Sequence, residues 1–66
     1  MLSEQERMNN AFKEALSHEE MMAKKFAQLA SEITEPQQQQ MLRGMEQACR
    51  NNCSTLSAKM TDMGIV

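Results

Sequence analysis

The chain has 66 residues with a formal net charge of −2, 41% hydrophobic and 24% charged residues, so it forms at most one small domain, residues 1–66. This balance excludes a disordered acidic tail and the basic surplus of a nucleic-acid binder. With two Phe, no Trp and no Tyr it offers no base-stacking platform, and no apolar run is long enough to mark a membrane span.

The first element opens at Ser3, with Glu6 three residues later, an S-x-x-E capping box. Glu4 and Glu6 place negative charge in the first turn, where the helix dipole favours it. Met8, Phe12, Ala15, Glu19, Met22, Phe26, Leu29 and Ile33 then recur at alternating spacings of four and three. At about 100° per residue these positions form one stripe, which predicts an amphipathic helix over about 4–33.

Thr34-Glu35-Pro36 interrupts the pattern. Proline disfavours helix at the residue before it and suits the first turn of the next one. Thr34 or Glu35 is the expected cap, and Thr34 with Gln37 also reads as a T-x-x-Q box. Gln37 to Gln40 read as helix formers on a solvated face. Leu42, Met45, Cys49, Cys53, Leu56, Met60 and Met63 repeat the period, predicting a second helix over about 36–63 that stops at Gly64. Gly44 breaks the helix-forming run and marks either a close helix approach or nothing.

Two long helices with so short a connection fold back as an antiparallel hairpin. Ala11, Ala23, Ala30, Met41 and Ala48 widen the apolar faces beyond what one partner helix covers. The expected fold is therefore all-α, a helical hairpin that dimerises into a four-helix bundle. Cys49 and Cys53, four apart on one helix, are poorly placed for a mutual disulfide, so an intracellular, reducing location is expected.

Glu19 is the one charge on the first stripe, at its middle. A carboxylate there must be protonated, paired, metal-bound or able to reach water. Counting from the turn sets it level with the stretch around Asn51 on the second helix, one turn either way reaches Glu46, Cys49 and Cys53, and Glu46 and Cys49 share a face. Glu46 also precedes Arg50 by four residues, the spacing and order of an ordinary helix-surface ion pair.

Glu19, Glu46-Gln47-Ala48-Cys49, Thr34-Glu35-Pro36 and the Met60–Val66 segment together resemble small two-helix ferritin-like proteins of the spore coat protein F type. That resemblance implies a ferritin-like four-helix bundle, a coat-associated structural role and spore association. It also implies a degenerate metal site, since Cys49 stands where the family carries His; Glu19, Glu46 and Cys49 are the candidate metal ligands.

No cofactor is expected beyond such a metal, and enzymatic activity is not expected. His18 is the only histidine and lies beside the stripe, where it solvates its ring, so nothing assembles a nucleophilic triad. Cys49 and Cys53 read first as small core residues, with a thiolate cluster across a dimer as the alternative. Eight methionines also fit an adaptor or co-chaperone hairpin that binds a partner's helix. Met21 is its marker, because it lies off the stripe. The expected partner is a second copy of the chain or another protein, with neither nucleic acid nor membrane.

Overall fold

The computed structural model describes residues 1–65 and contains two helices, α1 (Glu4–Glu32) and α2 (Pro36–Asp62). Each ends one residue before the boundary expected from the sequence. The longest dimension, 49 Å, is little more than one helix length, so the chain doubles back on itself at 33–35. Val66, which closes the coat-like segment, lies outside the described residues.

Local chemistry caps three of the four helix ends. Ser3 Oγ accepts from the Glu6 amide and Glu6 Oε1 accepts from the Ser3 amide, both at 3.1 Å, completing the capping box. At α2 the cap is Glu35, whose carboxylate accepts from the Gln38 amide, and Pro36 occupies the first turn. Thr34 makes no T-x-x-Q box, because Glu35 is the capping residue.

α2 stops in a Schellman motif. Gly64 takes φ +70°, its amide donates to Thr61 O, and the Ile65 amide donates to Met60 O at 2.8 Å. Ile65 and Met60 are both buried, so the turn closes the end of the hairpin with apolar side chains as well as hydrogen bonds.

The end of α1 is completed from the other helix. Gln39 Nε2 donates to Ala30 O at 2.9 Å and to Ile33 O at 3.2 Å, satisfying carbonyls that a helix leaves open in its last turn. Gln39 is therefore half-buried at the helix crossing, unlike the wholly solvated glutamine run expected from the sequence.

The seam between the helices is a seven-residue repeat shifted from the expected one. In α1 it runs Asn9, Phe12, Leu16, Glu19, Ala23, Phe26, Ala30 and, just past the helix end, Ile33, all buried or half-buried. In α2 it runs Gln39, Leu42, Glu46, Cys49, Cys53, Leu56 and Met60, and no other α2 residue leaves the exposed class. Met8, Leu29, Met45 and Met63, expected in the stripe, are instead exposed by 39–44%. Ala23 and Ala30 have no exposed surface at all and stand in the seam with Leu16, while Met22 and Leu29 lie on its flank.

Gly44 lies on the outer face, and a Cβ built there meets no atom within 4 Å. Close helix approach is not the reason for this glycine.

Candidate functional site

The helices carry one polar cluster in the seam and two flanks of opposite character. At the centre of the seam, Glu19 of α1 stands beside Cys49 of α2, within a turn of the level near Asn51 expected by counting from the turn. Burial raises the Cys49 thiol above its ordinary value, and the neighbouring Glu19 carboxylate raises it further by favouring the protonated sulfur. Cys53 lies a turn further on, and both cysteines are free and half-buried. Glu19 is half-buried and lines a cleft open to water, so of the outcomes available to a mid-stripe carboxylate it reaches solvent.

Glu46 has a different environment. Arg50 approaches its carboxylate at 2.8 Å and Arg43 at 3.2 Å, and these guanidiniums, Arg50 foremost, hold its pKa below the usual carboxylate value. Its side chain keeps 17% of its surface while the arginines stay about half exposed. The Glu46–Arg50 pair is the one read from their spacing; Arg43 adds a second cation from the preceding turn.

Of the three candidate ligands, the fold brings Glu19 and Cys49 together and leaves Glu46 engaged by two cations. A metal would have to displace both arginines and deprotonate a thiol that its surroundings keep protonated. Among the described residues no group of three or more His, Cys, Asp or Glu side chains gathers to hold an ion. One chain therefore does not present the donor set that the ferritin-like resemblance implies.

The flanks are the second feature. One edge of the seam carries Lys13, Glu20, Lys24, Arg43 and Arg50, with a polar hollow lined by Glu20, Lys24, Arg50 and Cys53. The other edge carries Met8, Ala15, Met22 and Leu29 from α1 and Met41, Met45 and Ala48 from α2, with Asn52 and Lys59 continuing the row of Met45. His18 is exposed there, beside the stripe as expected from the sequence.

Two hollows mark this apolar edge. One, of about 320 Å³, is lined by Ala15, His18, Glu19, Asn52, Thr55 and Leu56. The other lies over the outer face of α1 at Ala11, Ala15, His18 and Met21. Spacing of small and large residues signals both, but they become visible only once the seam is fixed. No helix among the described residues is long and apolar enough to cross a membrane. No family model, curated protein or solved structure matches the chain.

Proposed function

We propose that this chain is a non-enzymatic structural or assembly module, acting as a homodimeric four-helix bundle of ferritin-like layout with a coat-like role. The observation that carries this reading is the inequality of the two flanks. One is charged, while the other exposes Met8, Leu29, Met41 and Met45 by 43–58% beside half-buried Met22. Clustered apolar surface of this kind marks an interaction face. In an antiparallel hairpin it is also the face that a second hairpin would cover to complete a four-helix bundle.

The chemistry of the seam supports a non-catalytic role. The hollows are wide and open to water, so a substrate there would not be desolvated. The Cys49 sulfur is held as a thiol, which is the poor nucleophile of the two protonation states. Sedimentation equilibrium at micromolar concentration tests the proposal. Twice the 7.5 kDa chain mass is the expected result, and a monodisperse single-chain species would overturn it.

A second reading, a hairpin adaptor for a partner's helix, is favoured by Met21 and Met41, which are 46% and 58% exposed. Flexible thioether side chains fit varied apolar surfaces. An adaptor would remain a single chain until a partner helix is supplied.

A further inference from the structure

The apolar flank has a shape as well as a composition. The Glu19–Cys49 and Gln39–Ala30 contacts fix the register of the hairpin. That register sets Met22 level with Met45, and Ala15 level with Asn52, one seven-residue repeat or about 10 Å further along. The flank thus has a methionine ridge at one level and, at the next, the 320 Å³ cleft lined by Ala15 and Leu56 and by the polar His18, Glu19, Asn52 and Thr55, the cleft through which Glu19 of a single chain reaches water.

A two-fold axis joining two copies through one face runs either along the helices or across them. Along the helices, each level meets itself: ridge would press on ridge and cleft would face cleft. Across the helices, the levels reverse. With the axis level with His18 and Glu19, Met22 and Met45 of each copy enter the Ala15–Asn52 cleft of the other. We propose that a second copy of this chain docks in this second way, with the two α1 helices antiparallel neighbours. This rests on the assembly reading and adds to it the orientation and register of the partner.

The charges along the outer rim of α1 favour the same reversal on balance. From N- to C-terminus they read Glu4, Arg7, Glu14, Lys25 and Glu32, all exposed and, among the described residues, in no ion pair. Reversed against itself about that axis, the order brings Arg7 within about two residues of Glu32 of the second copy and Glu14 within about two of its Lys25, while Glu4 comes within about one of its Glu32. Counting both copies by symmetry, the Arg7 and Glu14 contacts pair opposite signs and the Glu4 contacts pair like ones. Such complementarity favours one orientation over its alternatives more than it adds affinity. Met8 and Leu29 of opposite copies meet at the two ends of the same face.

Zero-length carbodiimide cross-linking of the full chain, followed by peptide mass spectrometry of the dimer fraction, tests the register. Within one chain Glu14 and Lys25 are about 16 Å apart along a continuous helix, too far for an amide to join them. A Glu14–Lys25 link is therefore an inter-copy link and is the expected result. A dimer without that link overturns this docking geometry and leaves the assembly reading standing, whereas a single-chain species in sedimentation overturns both.

A packing exchange provides a second readout. Ala15→Met overfills the cleft and is expected to weaken the dimer about tenfold or more, while circular dichroism keeps its helical signal. Adding Met22→Ala swaps large for small across the interface and is expected to restore most of that loss. Absence of any rescue would overturn the proposed register.

Discussion

Glu19 and Cys49 stand at one level of the seam on opposite helices, a carboxylate beside a thiol that it helps keep protonated. Burial contributes more than the carboxylate does to the raised Cys49 pKa. Two consequences follow, one for thiol reactivity and one for alkaline stability. Alkylation of Cys49 by iodoacetamide should reach its half-maximal rate at higher pH than a free thiol, whose pKa is about 8.5. Glu19→Gln should bring the profile only part of the way back, because the larger cause remains. Because the folded pKa is raised, the thiol's contribution to stability is full below the unfolded value and is lost as pH climbs toward the folded one. Cys49→Ala should flatten that alkaline limb in thermal melts; an unchanged limb would refute the assignment.

The carboxylate of Glu46 titrates in the opposite sense. Its folded pKa is lowered by Arg50 and Arg43, so its stabilising contribution is present above the unfolded value and is lost as pH falls through the folded one. Glu46→Gln should therefore cost stability at neutral pH and little below the carboxylate range. Melting curves from neutral to strongly acidic pH check this, and parallel wild-type and variant profiles would count against it.

The two glycines should respond to the same substitution with opposite sign. Gly44 is helical, exposed and uncrowded, so Gly44→Ala should stabilise the fold by about 0.5–1 kcal/mol. Gly64 sits at φ +70°, and Gly64→Ala should destabilise it by about 1 kcal/mol. Urea unfolding of both variants measures each value directly.

Gln39 ties α2 to the last carbonyls of α1. Gln39→Ala should cost about 1 kcal/mol, whereas the same change at exposed Gln37 should be near neutral. Equal losses at the two positions would remove the cap from the account.

Glu19→Leu should raise the melting temperature, since a leucine at the seam buries apolar surface where a carboxylate now needs water. A chelator should leave the wild-type melt unchanged. If chelation lowers it, Glu19 and Cys49 hold a cation and the metal-binding reading gains.

Where each helix starts and stops was legible in the chain because those signals are local. Ser3 with Glu6, Pro36 after Glu35, and Gly64 act within a few residues of themselves, so their chemistry is the same whatever the rest of the molecule does. Counting back from the short turn brings Glu19 level with Asn51, within a turn of Cys49, because two rigid rods leave little freedom of register; packing set it opposite Cys49 itself. The seam itself was not legible. Residues 8, 15, 22 and 29 are apolar, and three of the adjacent row 9, 16, 23 and 30 are too, so periodicity alone fits either edge of α1. Only packing against α2 chose between them. The row of Leu16, Ala23 and Ala30 took the seam, which left Met22 and Leu29 on the flank on which assembly would depend.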